Sequence, residues 1–273
     1  MEYEFLKYPR TPHLEGSKLQ DGDYDLEQIR YSSLSGKHIV IEEKIDGANC
    51  GLGFDAAGEL VLQCRGHILD GGGKEPKFNL FKSWANHHKD AFLNRFEDRY
   101  VVYGEWMRAK HTIFYDALPH LFFEFDIWDR QSNSFLSTEA RKEKLSGLPI
   151  VQVPVLYSGA APKNIKEFKQ FVRPSVYKTD KWKNNLATAA LSAGIDPDRA
   201  LLESDKSNFS EGLYIKIETD DETIGRLKWV RGDFTQHIIE GGVHWSQRPM
   251  IENGILSDVD LFAMPYLNSD FNM

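Results

Sequence analysis

Long apolar runs are missing from this chain of 273 residues: no stretch approaches the roughly 20 residues that a bilayer-spanning helix needs. The first residues, Met1 to His13, carry Glu2 and Glu4 and no apolar segment. Neither a secretory signal nor an Arg-rich transit peptide is legible there, so a cytoplasmic protein with no membrane partner is expected. Cysteine is scarce. The two present, Cys50 and Cys64, fall in neighbouring expected strands, where an intracellular chain keeps them as small buried hydrophobes; a disulfide and a zinc site are not expected. An excess of positive charge is lacking too. Lys and Arg number 33 against 41 Asp and Glu, a net charge of −8, which excludes a domain that coats nucleic acid by bulk attraction.

What is present supports one large domain, since 41% of the residues are hydrophobic and no low-complexity linker interrupts them. Alternation and turn residues predict strands near 38 to 43, 49 to 54 and 60 to 65, with Asp55 to Gly58 as a hairpin turn. Phe78, Phe81, Trp84, Ala85, Phe92 and Phe96 recur at helical spacing and predict an amphipathic helix with an aromatic core stripe. Strands are expected at 100 to 106 and 121 to 128. Asn164 followed by Glu167 reads as a capped helix start, and 180 to 193 as a helix ending at Gly194. Strands at 211 to 218 and 224 to 231 close the pattern. Hairpins interspersed with helices predict an α+β fold of antiparallel sheets with flanking helices. A domain over 1–231 is expected, with 232–273 as a short docked appendage.

Several patterns fail on context. Gly51-Leu52-Gly53-Phe54-Asp55-Ala56 satisfies a dinucleotide-binding spacing but leads into a hairpin turn rather than a helix. Gly71-Gly72-Gly73-Lys74 lacks the hydroxyl residue and upstream glycine of a phosphate loop, leaving a flexible loop as the expectation. His87, His88 and His111 have no partners at metal-ligand spacing.

Lys44-Ile45-Asp46-Gly47 is different, because one lysine stands between an apolar, carboxylate-bearing strand and a tight Asp-Gly turn. It heads an ordered series: Lys44 to Asn49, Arg65, Tyr103-Gly104-Glu105, Phe123-Glu124-Phe125-Asp126, Glu211 to Lys216, and Arg226-Leu227-Lys228. In this order and at these separations the series resembles the motifs of the covalent nucleotidyltransferase superfamily, which includes polynucleotide ligases and messenger-RNA capping enzymes. The match runs from about Glu42 to Arg231. Asn49, the Phe125-Asp126 pair and the Ile113 to Tyr115 context are most similar to the phage-type second family of RNA ligases.

The residues support phosphoryl chemistry on their own terms, since it needs a nucleophile, cations to neutralise phosphate, and acidic ligands for a metal. A free lysine has pKa ~10.4, so neutrality at physiological pH requires about three units, roughly 4 kcal/mol. Arg65, Arg226, Lys228 and a divalent metal are expected to supply that shift by disfavouring the ammonium form of Lys44. In a strand over 224 to 230, Arg226 and Lys228 share one face.

The resemblance implies an ATP-dependent RNA ligase with Mg2+ or Mn2+ as cofactor. It implies Lys44, Glu211 and Lys228 as catalytic residues. Glu43, Asp46, Asn49, Arg65, Glu105, Phe125, Arg226 and Lys228 are then nucleotide-binding, with Phe125 stacked on the purine and Glu43 recognising adenine. Glu105 and Glu211 are the implied metal ligands. The implied partners are RNA with 5′-phosphate and 3′-hydroxyl ends and a kinase or phosphatase that heals such ends. Arg226 stands where the family often has lysine, which changes hydrogen-bond geometry at equal charge. The tail after Arg231 is too short and acidic for an OB domain. RNA binding is therefore expected to rely on the catalytic domain, through its basic stretch from Lys163 to Lys183 at Lys178, Lys181 and Lys183, or on a partner. A minimal DNA ligase and a nucleotide- or RNA-binding module without turnover are the alternatives.

Overall fold

The structure, a computed structural model, describes residues 4–19, 23, 27–71, 75–234 and 250–264. Gly72, Gly73 and Lys74, and most of the tail beyond 234, lie outside the described residues. Among the described residues twelve strands form one sheet, antiparallel except where β1 (His13–Leu14) joins β2 (Gln28–Ile29) and β12 (Glu222–Val230), and where β9 (Val151–Gln152) joins β7 (Phe122–Asp129). One half runs β10 (Val155–Ala160), β3 (His38–Lys44), β11 (Gly212–Glu218), β12. The other runs β7, β6 (Tyr100–Trp106), β4 (Ala48–Phe54), β5 (Leu60–Cys64). Short β8 (Ser134–Leu136) pairs with both β12 and β7 and joins the halves.

Each half buries one face in its own core, as the period-two alternation demands. Leu52, Phe54, Val102, Trp106 and Phe122 pack beneath two helices, α1 (Asn79–His87) and α2 (Lys89–Phe96). The Phe81 and Trp84 rings lie 5.6 and 5.2 Å from that of Phe122. The aromatic stripe is core, as expected, but the single helix is two. His88 leaves helical geometry (φ −98°, ψ 10°) and serves as the C-cap of α1 and N-cap of α2, a kink invisible to residue spacing. On the other half Ile39, Ile41, Leu213, Ile215, Leu227 and Trp229 pack with Phe168 of α4 (Ile165–Phe168). The α4 start is the predicted cap: Asn164 Oδ1 accepts from the Lys166 and Glu167 N–H groups at 3.0 Å each. The last long helix, α5 (Trp182–Ser192), packs with α6 (Pro197–Leu202) around Trp182, and Gly194 (φ +70°) ends it.

The opposite faces of the two halves turn toward each other, and charge joins them. Buried Arg141, on α3 (Thr138–Leu145), donates to Glu124 at 2.9 Å and to Glu42 at 2.5 Å. Lys216 Nζ reaches Glu42 at 3.2 Å and Asp126 at 3.0 Å, and Arg226 reaches Asp126 at 3.5 Å. Three cations thus balance three carboxylates, the condition under which buried charge is tolerated, and removing one partner costs about 3–5 kcal/mol. The cluster ties β3, β7, β11, β12 and α3 into a rigid floor. Cys50 and Cys64 stand opposite each other on β4 and β5 as free thiols. No helix among the described residues is long and apolar enough to cross a membrane.

Candidate nucleotidyl-transfer site

Lys44 ends β3 opposite Gly212, the first residue of β11, so Glu211 arrives at its side chain: Lys44 Nζ donates to Glu211 Oε2 at 2.6 Å. Gly212 is required by this approach, because a Cβ there would stand 2.0 Å from the Trp229 carbonyl oxygen. Gly47 is equally constrained, since its Cβ would meet Met107 Sδ at 2.6 Å. Its N–H donates to Glu105 Oε1 at 3.1 Å, which aims Glu105 at the turn that carries Lys44.

Asn49 pairs with Glu105, and extending the β4–β5 register by one residue puts Arg65 opposite Asn49. Arg65, Asn49 and Glu105 therefore form a row on one face of β5, β4 and β6, with Arg65 exposed. On the facing half Lys228 stands opposite Tyr214, and Arg226 opposite Lys216. The expected shared face of Arg226 and Lys228 is present, but the two serve different neighbours. Arg226 lies 3.8 Å above the Phe135 ring and 4.9 Å above that of Tyr8. Lys228 Nζ donates to Asp23 Oδ2 at 2.7 Å.

Other predicted residues are placed less directly. Asp46 spends its carboxylate on the backbone, accepting from Thr112 and Ile113 N–H at 2.8 and 2.9 Å, while its own N–H donates to the Tyr115 hydroxyl at 3.0 Å. It pins the segment after β6. Asn253 grips the same segment, accepting from Tyr115 N–H at 3.0 Å and donating to the Met107 carbonyl at 2.7 Å. Glu43 lies in strand alternation opposite to Glu42 and Lys44, toward Ser175 and Tyr177, with a buried Oε1 that has no hydrogen-bond partner. Phe125 sits at an irregularity of the β6–β7 pairing, so it leaves the alternation of Phe123 and Ile127 and packs edge-on against Tyr8 at 5.1 Å. Its ring is 6.4 Å from that of Tyr214. Of the basic stretch, Lys178 is half-buried, its Nζ donating to the Ser207 carbonyl at 2.7 Å and lying 3.9 Å from the Trp182 ring. Lys181 and Lys183 are exposed.

Electrostatics reverse one expectation. Burial pulls the Lys44 ammonium down, but Glu211, Glu105 and Asp46 outweigh it, and its pKa lies above the ordinary lysine value. In the protein alone the carboxylates act at shorter range than the cations, so a depressed lysine is not built in. The same burial pushes Glu105 up to about 8, against the pull of Lys44, and raises Glu211. Burial lowers Lys228.

Buried Glu211 and half-buried Glu105, crowded around one ammonium, form a place where added positive charge is favoured. Among the described residues no three His, Cys, Asp or Glu side chains form a metal cage. That donor set fits a magnesium-like ion, which takes one or two carboxylates and completes its shell with water and substrate phosphate.

Residue spacing missed the N-terminal layer. The Tyr8 hydroxyl donates to Asp126 and lies 2.5 Å from that of Tyr214, and His13, Ser17 and Asp23 back Lys228. These residues carry no periodic or motif signal in the sequence.

No curated protein matches the chain. Among solved structures, a mutant of Naegleria gruberi RNA ligase with ATP and Mn is 16% identical at a TM-score of 0.48, covering 74% of this chain and 52% of that one. A second Naegleria gruberi mutant with ATP and Mn is 14% identical at 0.49, covering 84% and 61%. An archaeal ATP-dependent RNA ligase is 17% identical at 0.47, covering 82% and 48%. The chain spans about half the length of the solved structures it matches. The family model described as RNA ligase matches residues 37–230, a stretch that opens one residue before β3 and closes with β12 and so contains Lys44, Glu105, Glu211 and Lys228. On that match, the chain belongs to the RNA ligase family.

Proposed function

We propose that the chain is an ATP-dependent RNA ligase that joins 5′-phosphate and 3′-hydroxyl ends through a covalent lysyl-AMP. The observation that carries this reading is the placement of Lys44 Nζ 2.6 Å from Glu211, beside Glu105 and within the field of Lys228. Lys44 Nζ attacks the α-phosphorus of ATP, the bond to the β-phosphate oxygen breaks, and pyrophosphate leaves. Glu211 holds the amine in line and is the nearby acceptor for the proton that it must lose. The AMP then passes to an RNA 5′-phosphate, and a 3′-hydroxyl attacks that phosphate and releases AMP.

Lys228, Arg226 and Arg65 are the chain's own sources of positive charge for the phosphates. Glu105 and Glu211 would hold Mg2+ or Mn2+, whose contribution is to neutralise phosphate oxygens and offset the carboxylates that keep Lys44 charged. Phe125, whose ring lies 6.4 Å from that of Tyr214, is the proposed purine-stacking residue, with Asn49 and Asp46 at the margin of the site. Contact from Glu43 to a base on the Lys44 face comes from its backbone. Lys181 and Lys183 are the proposed RNA contacts, and a kinase or phosphatase that prepares the ends is the proposed partner, inside the cell.

Incubation with α-labelled ATP and Mg2+ or Mn2+ tests the reading. Covalent label is expected on the protein, abolished in Lys44→Ala; absence of label, or its persistence in that variant, overturns it. Nicked RNA, nicked DNA and triphosphate-ended RNA offered as acceptors separate an RNA ligase from a minimal DNA ligase and from a capping enzyme. Label without any sealed product identifies a module that has lost turnover.

A further inference from the structure

Lys228 is held from behind by a closed circuit of hydrogen bonds that begins and ends on its own strand. The Val230 N–H donates to Ser17 Oγ at 2.9 Å. Ser17 Oγ lies 2.6 Å from His13 Nδ1, and His13 Nε2 lies 2.9 Å from Asp23 Oδ2. The same Oδ2 accepts from Lys228 Nζ at 2.7 Å. The direction of the chain follows from its donors. The Asp23 carboxylate only accepts, so His13 Nε2 carries the proton and donates to it; Nδ1 of the neutral imidazole is then bare and accepts from the Ser17 hydroxyl, which in turn accepts the Val230 N–H. Burial favours this neutral form, and His13 is fully buried. Asp23 also has Arg10 Nη2 at 3.6 Å from its other oxygen.

We propose that Asp23, oriented by His13 and Ser17, is a positioning residue that holds the Lys228 ammonium at the edge of the Lys44 site and away from Glu211. This rests on the nucleotidyl-transfer reading of that site. A lysine has four rotatable bonds and no fixed direction of its own, so its aim depends on its partner. Lys228 feels both Lys44 and Glu211. Released from Asp23, its ammonium has no fixed partner and reaches Glu211 only intermittently, competing there with Lys44 for the carboxylate that places the nucleophile. The defect therefore falls on the chemical step rather than on ATP capture. Register explains why the clamp is reliable: His13 pairs with Lys228 across β1 and β12, and Lys228 N–H donates to the Pro12 carbonyl at 2.9 Å, so clamp and lysine cannot drift apart along the strand.

Two measurements on the full chain test this. In the absence of nucleotide, acetic anhydride footprinting read by mass spectrometry should show Lys228 modified at least threefold faster in Asp23→Asn than in wild type, with Lys89 unchanged. This readout does not depend on catalysis. In single-turnover adenylylation with labelled ATP, Asp23→Asn should lower the maximal rate at least tenfold while the half-saturating ATP concentration stays within threefold. In a Lys228→Ala background the same substitution should add less than twofold. Equal losses in both backgrounds mark a merely structural role and overturn the proposal, as does a wild-type rate in Asp23→Asn when Lys228→Ala is slow. Should Asp23→Asn fail to fold, Ser17→Ala carries the same test, with a three- to tenfold loss that vanishes in the Lys228→Ala background. Absence of label in wild type removes the nucleotidyl-transfer reading, and the footprint alone then decides whether Asp23 clamps Lys228.

Discussion

Lys44 Nζ and Glu211 Oε2 stand 2.6 Å apart, the amine at the end of β3 and the carboxylate one residue before β11. The pair sets the resting state of Lys44, the proposed nucleophile, as an ammonium, because Glu211 and its neighbours outweigh the cost of burying the charge. Glu211 thus has two opposed effects: it places the amine, and it keeps the amine protonated. Glu211→Gln should separate them. In nucleotide-free protein the free-amine fraction of Lys44 rises roughly tenfold for each unit by which its pKa falls, so acetylation at pH 8 should increase. Adenylylation should decrease in the same variant, since the placement and the proposed metal ligand are lost. Unchanged acetylation of Lys44 would show that Glu211 does not control its charge.

Burial pushes the Glu43 carboxyl up to about 7, from an ordinary value of 4.5, with only a Ser175 hydrogen bond opposing it. The sign follows from linkage. A folded-state pKa above the unfolded one means that the stability it confers is complete below about 4.5 and is lost as pH rises through about 7. The ceiling for this loss is ~3 kcal/mol at 1.36 kcal/mol per unit. Glu43→Gln cannot ionise and should flatten that part of the profile, gaining on wild type between pH 5 and pH 8. Urea unfolding at a series of pH values measures the difference, and parallel profiles for the two proteins would remove Glu43 as the source.

The contrast between Glu43 and Asp23 shows where the sequence could be read and where it could not. The strands expected at 38 to 43 and 49 to 54, found at His38–Lys44 and Ala48–Phe54, were legible to within a residue because alternation, an Asp-Gly turn and the Asp55 to Gly58 hairpin set strand ends independently of the rest of the chain. Lys44, Asn49 and Glu105 inherit their positions from those ends. The stretch Thr138–Leu145 was not legible, because the inward face of α3 carries Arg141, a charged residue that only the carboxylates of distant strands make tolerable in the interior. β10 was missed as well: it lies at the edge of the sheet, and none of its residues is fully buried. The His13–Asp23 clamp is a third case, being a contact between the N-terminal segment and β12, over 200 residues apart, with no local pattern to announce it. Even Glu43 was legible only in part, since its neighbour Lys44 marks the site while its own side chain turns to the other face.

Salt dependence distinguishes the lysines of the basic stretch. Lys178 donates to the Ser207 carbonyl and lies over Trp182, and burial lowers its pKa to about 8, so its charge serves the α5 region more than the surface. Lys181 and Lys183 flank buried Trp182 on the exposed side of the same helix start. If both neutralise phosphates of single-stranded RNA, each releases counterions with a slope of about 0.7 in log K against log salt. Lys181→Gln with Lys183→Gln should therefore lower the slope by about 1.4, weakening binding most at low salt and least at high salt. Lys178→Gln should instead lower the thermal midpoint and leave the slope nearly unchanged. Fluorescence anisotropy of a labelled RNA across a salt series, with melting curves on the same samples, reads both quantities. An unaltered slope in the double variant would move the RNA off this helix and onto another surface of the domain.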